Sequence, residues 1–245
     1  MKHFKLTKES KVNRLGITLF RIELIIDCKH GKIGQKGGWI EKEENISGNA
    51  WVYDNAEVYG NARVSGNARV YGNAWVYGNA WVSGNASVSG DASVSGNASV
   101  SGNARVYDNA WVSGNASVSG DAEVYGNAWV SGNAWVYDNA WVYDNAEVYG
   151  NAWVYGNARV YDNASVSGNA EVYGNVTSTK KVFTLNFVYQ LTMTDLHIRY
   201  GCIQKTFQEW RNWLDSDEEF ETKRTCKKFE LIKMSLELAL KQAEL

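Results

Sequence analysis

Between Asn49 and Gly174 the chain repeats the unit (Asn/Asp)-Ala-x-Val-(Tyr/Ser)-(Gly/Asp) twenty-one times, without insertion or deletion. Within each unit Ala and Val alternate with x and Tyr/Ser. That period of two sends Ala and Val to one face and x and Tyr/Ser to the other, as a half-buried strand requires. The Gly-Asn or Asp-Asn pair between strands consists of residues that tolerate positive φ, and so marks a corner. Six residues thus predict one short strand and one turn, and three sides close a triangular coil of about eighteen residues. The expected fold is an all-β solenoid, a left-handed parallel β-helix of hexapeptide repeats. Its twenty-one units make seven coils, stacking to roughly 34 Å at ~4.8 Å per rung.

Two looser units extend the register forward. Gly37-Gly38-Trp39-Ile40-Glu41-Lys42 and Glu43-Glu44-Asn45-Ile46-Ser47-Gly48 carry Ile where Val stands later, and the pattern fades after Asn175-Val176. The organisation predicted is a β-rich N-terminal cap over 1–36, the solenoid over 37–178 and an α+β cap over 179–245. In the first, Ile17 to Ile26 reads as strand pieces, with Gly31, Gly34, Gly37 and Gly38 as turns. In the last, Lys181 to Val188 and His197 to Tyr200 read as strands. Two helices follow. Thr206 and Glu209 have capping-box spacing ahead of Phe207, Trp210 and Leu214; Ser216 and Glu219 repeat that spacing ahead of a stripe of Phe229, Ile232, Leu236 and Leu240. Both ends are expected to cover the unpaired backbone that a stack of coils exposes, with partner binding an alternative role for the C-terminal one.

Three Ala and three Val per coil make a thin core. Continuous ladder hydrogen bonds and like-on-like columns must then carry much of the stability, and Asn at every corner should stack as an amide ladder.

Charge is unevenly placed. The repeats hold four Arg, no Lys and eleven acids, a net of −7, against −2 for the whole chain; an acidic shaft argues against a nucleic-acid partner. Three cysteines outside the repeats, Cys28, Cys202 and Cys226, make no disulfide framework and suit a reducing cytoplasm. No apolar leader and no span near eighteen apolar residues is present, so the expectation is a cytoplasmic protein with no membrane partner.

The eighteen-residue period sorts the outward residues into three columns. One reads Trp51, Arg69, Ser87, Arg105, Glu123, Trp141, Arg159 beside a tyrosine run whose lower part is Tyr107, Tyr125, Tyr143 and Tyr161. A second contains Trp111 and Trp129 as neighbours, and a third Trp135 and Trp153, beside Tyr137, Tyr155 and Tyr173. These tryptophans, the Tyr107 to Tyr161 column and Arg105 are the candidate ligand- or partner-binding residues, because stacked aromatics serve as platforms for sugars, bases or proteins. Cross-strand aromatic pairs also stabilise a sheet without any ligand, by ~0.2–1 kcal/mol each. Eight outward tryptophans nonetheless exceed what a soluble monomer usually exposes, so at least one face is expected to be covered. Arg105 and Glu123, on adjacent coils, read as an ordinary exposed ion pair.

Catalytic chemistry finds little footing. His3, His30 and His197 are the only histidines, leaving none between residues 31 and 196 to act as a general base, and no loop interrupts the shaft to form a cleft. The cysteines lack metal-ligand spacing, and the acids at the corners read as turn residues. No catalytic residue, metal or cofactor is expected.

The run Gly37-Gly38-Trp39-Ile40-Glu41-Lys42-Glu43-Glu44-Asn45, with Gly48-Asn49-Ala50-Trp51-Val52-Tyr53 behind it, resembles the YdcK-like hexapeptide-repeat proteins of bacteria and their phages. The stretch Gly201-Cys202-Ile203-Gln204-Lys205-Thr206-Phe207-Gln208-Glu209-Trp210 is similar to the one that opens the C-terminal helices in that family. Ile203, Lys205 and Trp210 depart from its pattern. The resemblance implies a β-rich lead-in to a left-handed β-helix, and only a loose likeness to hexapeptide acyltransferases. The leading functional expectation is a non-enzymatic structural or interaction protein, self-associating, with a trimer favoured, or binding a protein partner. Alternatives are an unusual acyltransferase and a sponge for a small nucleotide or sugar.

Overall fold

The computed structural model describes residues 2–174, 177–178, 181–186, 190–219 and 223–242. The repeats form a parallel β-solenoid. Among the described residues its strands fall into three sheets, of fourteen, eight and seven strands, one on each side of the coil. Each hexapeptide contributes a two-residue core strand, such as Trp111–Val112, in register with the strand eighteen residues on: Trp111 opposite Trp129, Val112 opposite Val130. Backbone N–H groups donate to the next coil, Trp75 N to Ala92 O and Trp111 N to Ala128 O at 2.9 Å each. Every Ala and Val of the repeats points inward and is buried, in a continuous core from Phe4 to Val182. The two forward units belong to it, with Trp39 and Ile40 opposite Glu57 and Val58 and Ile46 opposite Val64.

The corners explain the invariant residues. Their glycines have positive φ, as at Gly102 (φ 69°), where an added Cβ would stand 2.9 Å from the backbone N and O of Gly120 one coil on. Asp54, Asp108, Asp138, Asp144 and Asp162 replace Gly and hold the same conformation, φ 53–59°. Aspartate is among the few residues besides Gly that adopt this conformation readily, and two of these carboxylates also bond to the next coil: Asp54 accepts from Gly72 N at 3.2 Å and Asp108 from Gly126 N at 3.3 Å. The expected turn role of these acids stands. The Asn ladders stand too. On one edge Asn61, Asn79, Asn97, Asn115, Asn133, Asn151 and Asn169 form an unbroken chain in which each Nδ2 donates to the next Oδ1 at 2.9–3.2 Å. Where Asp91 and Asp121 replace Asn, each accepts, from Asn73 and Asn103, and a carboxylate has no N–H with which to continue.

At the N-terminus β1 (Phe4–Val12), β2 (Thr18–Leu24) and β3 (Lys36–Ile40) run antiparallel in sequence, and β3 then pairs in parallel with the first coils. Two expectations are corrected. Gly37 and Gly38 are not turns but lie within β3, because a Cβ there would meet Trp51 and Val52 O at 2.6 Å, or Val52 Cγ1 at 2.5 Å. Trp51 occupies an outward position yet is fully buried, since His3, Phe4 and His30 close over its ring.

At the far end the step shortens from eighteen residues to sixteen: Ser165 pairs with Lys181 and Val166 with Val182. From there an antiparallel meander of Lys181–Asn186, Gln190–Met193, His197–Tyr200 and Ile203–Thr206 continues the fourteen-stranded sheet. The expected strand end at Phe187-Val188, and Asn175-Val176 where the repeat fades, lie outside the described residues. Helix α1 (Phe207–Leu214) carries the predicted capping box: Thr206 Oγ1 accepts from Glu209 N at 3.2 Å, and Glu209 Oε2 accepts from Thr206 N at 2.7 Å. Helix α2 spans Lys227–Gln242. Its start is a further correction. Ser216 Oγ instead donates to Trp213 O, and Glu219 accepts from Arg224 N, so the second box closes a connection rather than opening a helix. The stripe of Phe229, Ile232, Leu236 and Leu240 is buried against Trp210, Trp213 and Ile198. Arg199 ties this part to the shaft, paired with Glu171 and lying 4.7 Å over the Tyr173 ring.

Candidate functional site

A strand ends with Tyr or Ser and the next begins two corner residues and one Ala later, so the Tyr column of one face and the x column of the next flank the same edge. The sequence-predicted residues therefore fall into two groups. Tyr107, Tyr125, Tyr143 and Tyr161 lie on the eight-stranded sheet, across one corner from Trp111 and Trp129 on the fourteen-stranded sheet. Trp135 and Trp153 lie on the seven-stranded sheet with Tyr137, Tyr155 and Tyr173. The structure does not bring the two groups into one site.

Each group is a stack. The ring centroids of Tyr107, Tyr125, Tyr143 and Tyr161 are 4.8, 4.9 and 4.9 Å apart and nearly parallel, because the rung spacing of a sheet is also close to a ring-stacking distance. Trp111 and Trp129 stack at 5.9 Å, Trp135 and Trp153 at 5.8 Å. Tyr137, Tyr155 and Tyr173 form a third stack, at 4.9 and 5.0 Å. The indoles are steadied by a contact the pattern did not reveal. Trp81, Trp111 and Trp129 donate Nε1–H to Ser65, Ser95 and Ser113 at 3.0–3.3 Å, each sixteen residues back, on the diagonal of the preceding coil. The four stacked tryptophans remain half in solvent: Trp111, Trp129, Trp135 and Trp153 are 46, 45, 48 and 42% exposed.

The tyrosines are less available. Tyr107 donates to Glu123 Oε2 at 2.9 Å, and burial followed by that carboxylate pushes its phenol well up. Burial raises Tyr125 and Tyr143 too. Arg105 sits 3.6 Å from Glu123 and is largely exposed, an ion pair of little energetic weight.

Two clefts at the N-terminal end escaped the sequence reading. One, of about 660 Å³, lies between the β1–β2 turn and the fourteen-stranded face; Trp75, Tyr59 and Tyr77 line it with Arg14, Lys11 and Glu57. Arg14 already lies 5.1 Å over the Trp75 ring and Tyr59 stacks on Tyr77 at 5.2 Å. The other, of about 310 Å³, is lined by Lys29, His30, Tyr53, Asn67, Arg69 and Asn85. Lys29 and His30 precede the repeat, so no periodicity could place them beside Arg69.

Two of the three histidines pack into the N-terminal end. His30 is buried with both ring nitrogens engaged, Nδ1 with Tyr53 Oη at 2.8 Å and Nε2 with Asn49 O at 2.6 Å. Its contact with a carbonyl makes Nε2 the protonated nitrogen, so Nδ1 accepts from the tyrosine. His3 Nε2 reaches Ala50 O at 3.2 Å. Burial holds both below the ordinary imidazole value. His197 lies in the C-terminal sheet opposite Thr206. Among the described residues no group of three or more His, Cys, Asp or Glu could hold a metal ion, and no helix is long and apolar enough to cross a membrane.

Comparison with known proteins bears on the shaft alone. Residues 62–78, 68–84, 98–114, 104–120, 122–138 and 152–168 match the family model described as YdcK Beta solenoid repeat. No curated protein matches the chain.

Proposed function

With the shaft a member of the YdcK β-solenoid repeat family, we propose that the protein is a non-enzymatic interaction module whose tryptophan faces bind further copies of itself or another protein. The observation that carries this is the pair of two-deep indole stacks, Trp111 on Trp129 and Trp135 on Trp153, each about half exposed on a frame whose backbone is hydrogen-bonded rung to rung. Side chains pre-ordered by stacking, and in Trp111 and Trp129 also by indole–serine bonds, lose little entropy on contact, which favours tight association per unit area. The two stacks lie on different faces. A two-fold dimer uses one face twice, whereas a cyclic trimer uses two different faces of every subunit, so two aromatic faces favour the trimer. In the same reading the coil is left-handed, residues 1–36 and 179–245 cap a shaft of 37–178, and the protein works in the cytoplasm with its three free cysteines reduced.

Sedimentation equilibrium of the full chain tests it. A defined oligomer that dissociates when Trp111 and Trp129, or Trp135 and Trp153, are changed to Ser supports the reading. A wild-type protein that is monomeric at all concentrations, and from which no protein partner is lost in those variants, refutes it.

A further inference from the structure

The shaft is acidic, but the smaller cleft beneath the N-terminal cap is not. Its six lining residues, Lys29, His30, Tyr53, Asn67, Arg69 and Asn85, include two permanent cations and no carboxylate. They come from separate parts of the chain: Lys29 and His30 from the cap, Tyr53 and Arg69 from successive coils of the eight-stranded face, Asn67 and Asn85 from the adjoining corner ladder. Lys29 Nζ is held at that corner by Asn67 Oδ1 at 2.7 Å. Tyr53 and His30 are fixed by their mutual bond and by Asn49 O. Arg69 differs from the other shaft arginine of its row that meets an acid, since Arg105 has Glu123. Arg69 has neither a hydrogen bond nor an ion pair among the described residues, and its charge bears on both His30 and Tyr53. A guanidinium turned toward a polar cleft without a counter-ion is a recognition element for an oxyanion.

Just below Arg69 the row continues with Ser87 and then Arg105, in register. Ser87 and Ser89, small and buried between their larger neighbours, add no charge beside the cleft. Each corner amide spends one N–H on the ladder, Asn67 to Asn85 and Asn85 to Asn103, and has a second to offer.

We propose that this cleft binds a small phosphate ester, with the phosphate oxygens taken by the Arg69 guanidinium, the Lys29 ammonium and the corner amides. Donors that converge from the cap, the face and the corner suit an anion with oxygens in several directions better than a planar carboxylate. A volume near 310 Å³ is at the small end for ligand pockets, which limits the organic part to about the size of a sugar. The site is separate from the tryptophan faces and stands or falls independently of them.

Isothermal titration of the full-length protein with inorganic pyrophosphate is the test, with citrate as the carboxylate probe. Saturable pyrophosphate binding is expected, weakening with added salt, falling at least tenfold in Arg69→Ala and in Lys29→Ala, and unchanged in Arg63→Ala, whose arginine lies on another face. Each changed side chain is exposed, and an unchanged melting temperature will show that the variants fold. Absence of pyrophosphate binding, binding that Arg69→Ala leaves intact, or tighter binding of citrate would each overturn the assignment.

Discussion

Trp129 stacks on Trp111 at 5.9 Å while its own Nε1–H reaches past that ring to Ser113 at 3.2 Å. Both contacts tie the indole to one strand of the preceding coil, the first through its ring and the second through its N–H. Trp129→Phe keeps an aromatic ring on the stack but loses the N–H and part of the indole area, so it should cost about 1–2 kcal/mol and weaken association less than full removal of the ring. Trp129→Ser removes the platform, and the oligomer should weaken although the fold survives. Urea denaturation alongside sedimentation separates the two effects.

The corner glycines differ in what lies one coil on. At Gly168 an added Cβ meets nothing within 4 Å, whereas at Gly102 it meets Gly120 backbone at 2.9 Å. Gly168→Ala should therefore cost only the left-handed conformation, about 1–2 kcal/mol, and Gly102→Ala about 1–3 kcal/mol more through overpacking. Gly102→Asp should be milder than Gly102→Ala, because the carboxylate can accept from the next coil as Asp108 does from Gly126. Midpoints of urea unfolding rank the three.

Asn115 sits inside the longest amide ladder, accepting from Asn97 and donating to Asn133 at 2.9 Å each. Asn115→Asp keeps the first bond and loses the second, and Asn115→Ala loses both. Losses of about 1 kcal/mol per bond predict the order wild type, Asp, Ala in thermal stability at neutral pH.

His3 and His30 are both lowered from the ordinary 6.5, chiefly by burial, with the Lys29 charge acting in the same direction on each and Arg69 on His30. The folded protein therefore binds fewer protons than the unfolded chain below pH 6.5. The stability contributed by the neutral rings is complete above that value and is lost as pH falls through their depressed folded values. Melting temperature should drop between pH 7 and pH 5, and His3→Gln with His30→Gln should flatten that part of the profile.

What the sequence made legible is what repeats. Ala and Val inward, Asn ladders, Asp in the glycine corners and the forward units at Trp39-Ile40 and Ile46 all follow from a six-residue period, because each is decided within one coil and its neighbour. The Thr206–Glu209 box was legible for the same local reason. The misreadings have a shared cause in contacts between distant segments. Gly37 and Gly38 look like turn residues until Trp51 and Val52 are seen to occupy the space their side chains would need, and Trp51 looks solvent-facing until His3 and Phe4 cover it. β1 escaped notice because its Lys-, Glu- and Ser-rich sequence leaves most of the strand exposed. Of the candidate site, the stacks were predictable from the eighteen-residue spacing. The Lys29–Arg69 cleft was not, since one wall comes from outside the repeat.

The eighteen-residue register makes the shaft behave like a combination lock with three positions. Removing a single hexapeptide, for example residues 115–120, leaves every inward residue an Ala or a Val, so the interior would not register the change. Everything downstream, however, turns by a third of a revolution. Trp135 then occupies the place of Trp129, and Trp153 that of Glu147, aligning Trp111, Trp135 and Trp153 in one column. The C-terminal helices swing to another side with them. Gain or loss of one copied unit thus rewrites the outer surface wholesale while the interior stays the same, so a lineage of such chains can exchange binding surfaces without first surviving a damaged core.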